Sequence, residues 1–316
     1  MANCSKILFF DELTSTNLYV KEHYQELDDN TLIIAGSQTA GRGRLGRKWI
    51  SPPNSNIYAT LVVKNIHDIN LIGGIVGLAG LATLRELAPQ VNFYIKWPND
   101  IYVGKAKLAG ILSESCEVKN GKIQVAACGI GININSTPDD LSSIDQSATS
   151  LLCETKTKFN LDFFKKRLAF FTNWYYITYL NNYSRFFSEW EKANRLIGQQ
   201  LVLIDARGIR HEGVAVKINS DGGLVLREIK KNNKNLGESG VSIGIEKVHS
   251  KSLKVEQEAM NGISTCSLRG DNLQNVSFEE GAGGKYFNSF DETEENIYYC
   301  GDVSVDKSSI DFDKLY

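Results

Sequence analysis

No stretch of the sequence approaches the ~20 consecutive apolar residues that a membrane-crossing helix needs, so no spanning helix is expected. Cysteine is sparse: Cys4, Cys116, Cys128, Cys153, Cys266 and Cys300 are scattered, with no CxxC pair of the kind that holds zinc or works in redox exchange. There are four histidines, His23, His67, His211 and His249, none at metal-ligand spacing from a second candidate. No structural metal is expected. The N-terminal apolar run in MANCSKILFF stops at Asp11 and Glu12, too short for a secretion signal, which points to a cytoplasmic protein. Nor is there an excess of either charge. Lys and Arg total 35 against 37 Asp and Glu, a formal charge of −2, so there is no global attraction to nucleic acid or an anionic membrane. Anion binding, if present, must come from a local cluster.

With 316 residues the chain can bury a substantial core and is expected to form more than one compact unit. TLIIAGSQ and IYATLVVK read as β-branched strands, and Gly73 to Ala88 as a buried helix rich in small residues. FYIKWPNDIYV, KLAGILSESCEV and KIQVAACGIGININ follow as strands, with turns at Gly104 and Asn120-Gly121. A helix joined to consecutive hairpins implies an α+β domain over residues 1–196. Phe163, Phe164, Phe170, Phe171, Trp174, Tyr175 and Tyr176 crowd a helical stretch between Leu161 and Arg195, and at that spacing they read as core. From residue 197 to 254 short strands with turns at Arg207-Gly208 and Asp221-Gly222-Gly223 suggest a small β-barrel. Residues 255–316 turn polar and acidic and read as a partly disordered extension, with Tyr286, Phe287 and Phe290 as its candidate anchors.

One local cluster stands out. TAGRGRLGRKW, Thr39 to Trp49, sets Arg42, Arg44, Arg47 and Lys48 among Gly41, Gly43 and Gly46 with no acidic residue. Its GxGxxG spacing formally fits a dinucleotide fingerprint, but that needs a following helix, which Pro52-Pro53 forbids. A P-loop would need Lys then Ser or Thr where Arg47 and Lys48 stand, and the Asp loop and Asp-Phe-Gly site of a kinase are missing. What remains is a loop of guanidinium groups and backbone N–H donors suited to phosphate or carboxylate oxygens.

Other motifs occur in order around it: TSTN at Thr14 to Asn17, KWPND at Lys96 to Asp100, KLAGIL from Lys107, and GIGININ from Gly129 to Asn135. Together with GRGRLGRKW they resemble the biotin protein ligases from about Lys6 to about Lys254. The resemblance implies a central mixed or antiparallel sheet with helices, the biotin–lipoate ligase fold akin to class II aminoacyl-tRNA synthetases, plus a small C-terminal SH3-like barrel. Because STN already occurs at residues 15–17, the N-terminal winged helix of ligases that double as repressors is not expected, and the chain resembles a monofunctional member.

The implied reaction joins biotin to ATP, with Mg²⁺, to give biotinyl-5′-adenylate, then acylates a lysine of a biotin carboxyl carrier domain. By resemblance Ser15, Thr16, Asn17 and Gln38 surround the ureido ring, with the backbone of Gly41 and Gly110 nearby. Arg42 and Lys107 bridge the biotin carboxylate and α-phosphate, Arg44 and Arg47 meet the leaving phosphates, Trp49 covers the adenylate and Asn133 reads the adenine edge. Asp100 holds the incoming amine, chiefly by position and charge. A loop with three glycines and Leu45 at its fifth position suits closure over an apolar tail.

Two alternatives are weighed against this reading. A lipoate protein ligase shares the chemistry, but the GRGRLGRKW loop and small barrel argue against it. A nucleic-acid-binding module would need basic residues beyond the loop and a recognition helix, so no DNA binding is expected. Dimerisation through a sheet edge is compatible with the sequence.

Overall fold

LIIAGSQ and IYATLVV pair antiparallel, Leu32 opposite Leu61, within a seven-stranded sheet of the computed structural model. The structure describes residues 6–68, 70–205, 208–228, 295–298 and 302–305. In chain order the first unit contains β1 (Ile7–Leu13), α1 (Thr16–His23), β2 (Leu32–Gln38), β3 (Ile57–Val63), α2 (Gly73–Leu87), β4 (Phe93–Lys96), β5 (Asp100–Val103), β6 (Ala106–Lys119) and β7 (Lys122–Ile132). Short helices α3 (Pro138–Leu141) and α4 (Leu151–Thr155) precede α5 (Leu161–Asn181) and α6 (Tyr183–Ala193). The strand order is β1-β2-β3-β7-β6-β5-β4, with β1–β2 parallel and the other pairs antiparallel. The sheet is therefore mixed, and the fold is α+β.

Strand alternation sends side chains to two faces, and both are covered. Ile57, Ala59 and Leu61 of β3 join α2, α5 and α6 in the main core, while Val62 turns to Val20 and Leu27 under α1. Along the α1 face of β7 the alternating residues are Val125, Ala127, Gly129 and Gly131. The apolar cover thus gives way to bare backbone near the N-terminus of α1. That change from side chains to glycine makes room for a site.

Asn120 (φ 52°) and Gly121 (φ 71°) both take the left-handed conformation in the β6–β7 turn, as a type I′ hairpin requires. The aromatic stretch divides into two helices at Asn182, whose side chain accepts from the Arg185 N–H and caps α6. Its assignment to the core holds only in part. Phe164 and Tyr176 are buried and Phe171 and Tyr175 pack against them. Phe163, Phe170 and Trp174 are about half exposed, because seven aromatics in fourteen residues exceed what one face of a helix can bury. Arg167 stacks on Phe170 at 4.7 Å, and Arg185 lies 5.8 Å from the Trp174 ring.

The second unit is a five-stranded open sheet of β8 (Gln200–Ile204), β9 (Arg210–Ile218), β10 (Leu224–Glu228), β11 (Glu295–Tyr298) and β12 (Asp302–Val305), in the order β11-β10-β9-β8-β12. The sheet does not end near Lys254. Two strands of the segment assigned to an acidic extension form its edges, since the three central strands alone leave rows of backbone donors and acceptors unpaired. Residues 229–294, including Tyr286, Phe287 and Phe290, lie outside the described residues. The core of this unit contains a visitor from the first. Trp97 of KWPND is buried among Leu196, Leu201, Leu203, Leu224 and Leu226, and its Nε1–H donates to the Gly222 carbonyl at 2.9 Å.

Candidate active site

Gly110, Leu112 and Glu114 of β6 stand opposite Gly131, Gly129 and Ala127 of β7, so these six positions on one face include three glycines and one carboxylate. The glycines form a floor. A Cβ on Gly131 would come within 2.4 Å of Trp49 Nε1, and one on Gly129 within 2.1 Å of Asn17 Oδ1. Side chains are thus excluded where the loop and the α1 N-terminus meet the sheet.

Above the floor, the 39–50 loop folds back on itself as a hairpin. Gly43 N–H donates to the Arg47 carbonyl at 2.7 Å and Trp49 N–H to the Gly41 carbonyl at 2.9 Å, while Leu45 (φ 55°) and Gly46 (φ 73°) turn its tip. Leu45 is 78% exposed. Gly41 is needed at the base, where a Cβ would meet the Trp49 carbonyl at 2.4 Å and Ser51 Oγ at 2.5 Å. Trp49 lays its indole on the floor, with its Nε1–H buried and without a protein acceptor among the described residues. An unpaired buried donor costs about 1–3 kcal/mol, which a ligand oxygen would recover.

The KWPND turn brings the other wall. Asn99 is held by reciprocal bonds to Ile111, its Nδ2 donating to the Ile111 carbonyl and its carbonyl accepting from the Ile111 N–H, both at 2.8 Å. Its Oδ1 accepts from Arg44 at 2.9 Å, tying the loop to the turn. Beside it Lys107 Nζ stands 2.7 Å from Asp100 Oδ1, with both side chains under one-fifth exposed. The two form a close ion pair. Lys107 also lies 5.7 Å from the Trp49 ring.

At the α1 end, Thr16 N–H and Oγ1–H both point to Gln38 Oε1, at 2.9 and 3.2 Å. Thr60 Oγ1 lies 2.8 Å from Thr16 Oγ1 and 2.7 Å from Asn17 Oδ1. Two hydroxyl hydrogens serve these three oxygen–oxygen contacts, so the corner has acceptors to spare. Ser15 caps α1 by position, yet its hydroxyl makes no capping bond. A ligand rich in N–H donors with one carbonyl fits such a corner.

Ser15, Thr16, Asn17, Gln38, Arg42, Arg44, Arg47, Trp49, Asp100, Lys107, Gly110 and Asn133 all line one cavity of about 780 Å³. Gly41 lies behind it, under Trp49 and Ser51. Arg42, Arg44, Arg47, Lys48 and Lys107 face the cavity against Asp100 and Asp145, so it favours anions. Asn133 lines the cavity and gives one side-chain N–H to the Thr149 carbonyl at 3.1 Å. Sequence reasoning overlooked Asn99, Thr60, Glu114, Gly131 and the wall from Ser143 to Ala148. The Gly129-x-Gly131 spacing, which puts two bare positions on one strand face, was a readable signal. For the wall there was none, since its place depends on Lys107 N–H donating to the Ser147 carbonyl.

Residues 9–133 match the model of the biotin/lipoate A/B protein ligase family. The bifunctional ligase/repressor BirA of Bacillus subtilis is 32% identical over 149 residues, covering 46% of each chain, so the match spans about half that relative's length. The biotin–[acetyl-CoA-carboxylase] ligase of Paracoccus denitrificans is 30% identical over 67% of this chain and 90% of its own. In fold, the biotin protein ligase of Aquifex aeolicus, solved with biotin and ATP, aligns with a TM-score of 0.60 over 70% of this chain and 91% of its own, at 24% identity. The motifs and the cavity they line are accompanied by this identity over nearly all of the Paracoccus enzyme, and the chain belongs to the biotin protein ligase family.

Proposed function

We propose that the protein is a biotin–[biotin carboxyl carrier protein] ligase that makes biotinyl-5′-adenylate and passes the biotinyl group to a lysine. The observation that carries this reading is the glycine-floored cavity, whose lining combines an acceptor-rich corner at Thr16, Asn17 and Gln38 with the Lys107–Asp100 pair and the loop arginines. The corner suits a ureido ring: two N–H groups meet Asn17, Thr16 and Gln38 oxygens, and the one carbonyl meets the Ser15 hydroxyl.

In the first half-reaction a biotin carboxylate oxygen attacks the α-phosphorus of ATP, and pyrophosphate leaves. Two anions must come together, and fixed cations at the developing charge lower such a barrier by several kcal/mol. Lys107 and Arg42 take that role, Arg44 and Arg47 meet the leaving phosphates, Trp49 covers the product and Asn133 faces the adenine. Mg²⁺ is taken to enter with ATP as part of the substrate, bound to its phosphates. In the second half-reaction the lysine ammonium first loses one proton to solvent, the neutral nitrogen attacks the acyl carbon, AMP leaves, and a second proton is lost from that nitrogen. Asp100 orients that amine through its charge. An ordinary lysine, with a pKa near ~10.4, arrives protonated, so a carboxylate at this point also favours its approach.

The acceptor is a folded carrier domain, and a strand edge such as β4 or β1 offers it, or a second copy of this chain, backbone pairing. We further propose that the small open sheet curls toward a barrel. β11 and β12 lie at its opposite edges, yet Tyr298 and Asp302 are only four residues apart, a reach of at most ~14 Å. Free Cys116, Cys128 and Cys153 fit a reducing cytoplasm.

Incubating the protein with biotin and α-labelled ATP tests the reading. Labelled biotinyl adenylate and released pyrophosphate are expected, and lipoate should not substitute for biotin. Label in lipoyl adenylate alone would make it a lipoate ligase, and salt-dependent retention of DNA in place of adenylation would favour the nucleic-acid module. For the second half-reaction, Asp100→Asn is expected to keep adenylation within about threefold while slowing transfer by about tenfold or more, since it keeps the shape and loses the charge. Supplying purified adenylate and a carrier domain measures transfer alone, and a normal transfer rate refutes the role of Asp100.

A further inference from the structure

Glu114 lies just behind the cavity wall with its side chain only 15% exposed, and three donors from two separate elements converge on it. Asn17 Nδ2 donates to Oε2 at 3.0 Å, Lys21 Nζ to Oε1 at 3.2 Å, and Arg42 reaches to 3.7 Å of Oε1. Asn17 and Lys21 are one helical turn apart on α1, so they present to the same side. Arg42 comes from the loop. The second N–H of Asn17 goes to the Leu112 carbonyl at 3.0 Å, which leaves the amide oxygen toward Thr60 and Gly129.

We infer that Glu114 is a positioning residue that fixes the polarity of the Asn17 amide and holds Arg42 at the biotin end of the cavity. An ionised carboxylate only accepts hydrogen bonds. Facing it, Asn17 must turn its NH₂ toward Glu114 and therefore its oxygen toward the ligand corner, as an acceptor for a ureido N–H. A side chain with both a donor and an acceptor would tolerate either amide orientation. The same carboxylate supplies the counter-charge that keeps Arg42 on the biotin side while the substrate carboxylate is absent. When that carboxylate arrives it takes over an interaction that Arg42 already makes, so the guanidinium does not have to be drawn from bulk water. Glu114 itself touches no reacting atom. This inference rests on the biotin-ligase reading and adds to it the residue that orients the ureido contact.

The test is the adenylation rate with biotin and ATP varied separately, for the wild type, E114Q, N17D and the E114Q/N17D double variant. In E114Q the biotin KM is expected to rise about tenfold, with kcat and the ATP KM within about twofold. N17D alone sets two carboxylates against each other and is expected to bind biotin worse still. In the double variant the amide introduced by E114Q can donate to the carboxylate introduced by N17D, which again offers an oxygen to the ligand, and the biotin KM is expected to return toward the wild-type value. Such non-additive recovery marks an orientation effect, because loss of general stability would worsen on combining the changes. An E114Q biotin KM equal to that of an active wild type, or equal rises for biotin and ATP with no recovery in the double variant, overturns the inference alone. A wild type that forms no biotinyl adenylate overturns the ligase reading and this inference with it.

Discussion

Replacing Lys107 with alanine is expected to slow biotinyl adenylate formation by about 10²- to 10³-fold, a size typical of removing a charge that acts on the transition state. Biotin affinity is expected to change by only about threefold, because the corner proposed for the ureido ring is built from Ser15, Thr16, Asn17 and Gln38 and the charge matters most where carboxylate meets phosphate. The geometry adds a complication. Lys107 is 2.7 Å from Asp100, so K107A also leaves a carboxylate without its counter-ion. Some loss of rate could then come from repulsion of ATP by Asp100 instead of from the missing ammonium. The K107A/D100N double variant separates the two, since it removes both charges. If the ammonium acts on the transition state, the double variant stays as slow as K107A. Full recovery would show that Lys107 serves only to mask Asp100. Calorimetric titration with biotin and single-turnover adenylation supply the two readouts, and equal losses in both would make Lys107 a simple binding residue.

Ending the chain at Lys254 is expected to lower the melting temperature by about 5 °C or more, on a scale where 1 kcal/mol shifts a domain of this size by about 2–4 °C. Adenylation is expected to fall with it. The truncation removes β11 and β12, which pair with β10 and β8, and leaves both edges of a three-stranded sheet unpaired. It also removes Tyr298, whose hydroxyl donates to Glu228 at 2.5 Å and which packs against the cluster that holds Trp97. From Trp97 the chain runs directly to Asn99, which binds Arg44, and to Asp100, which pairs with Lys107. Loosening this sheet therefore frees the turn that carries Asn99 and Asp100 and, through them, bears on Arg44 and Lys107. A second variant tests whether the strands or the long segment between them matter. Because Arg227 stands opposite Glu295 in an antiparallel pair, residues 229–294 can be replaced by a short Asn-Gly turn. That variant is expected to keep both the melting temperature and adenylation. Unchanged stability and rate in the chain ending at Lys254 would show that β11 and β12 contribute nothing to the site.

Local chemistry made much of the site readable in the sequence. A loop with four cations and three glycines needs no tertiary structure to announce an anion, and Pro52-Pro53 excludes the helix that rival phosphate motifs require. The strands, the Gly73 helix and the Asn120-Gly121 turn follow from periodicity and from the left-handed backbone that turn demands. Glu114 and Gly131 were partly visible too. Both continue the alternation of residues already singled out, Gly110 on β6 and Gly129 on β7.

Other features depended on contacts between distant parts of the chain. Which aromatics of α5 are buried was settled by where α2 lies against it, leaving Phe163, Phe170 and Trp174 outside. Trp97 reads locally as part of a catalytic motif, but only the packing of the second unit makes its side chain a core residue there. The edge strands β11 and β12 are four residues each and lie in a polar, acidic segment, too short for periodicity to register. Their partners, β10 and β8, stand some 70 and 100 residues earlier in the chain. The amino acids themselves determined the type of ligand and the order of the motifs, because those follow from charge, backbone freedom and spacing along the chain. Tertiary structure decided which side chains face one another, since strand pairing over such separations is selected by the burial that the whole sheet achieves and not by any residue's own preference.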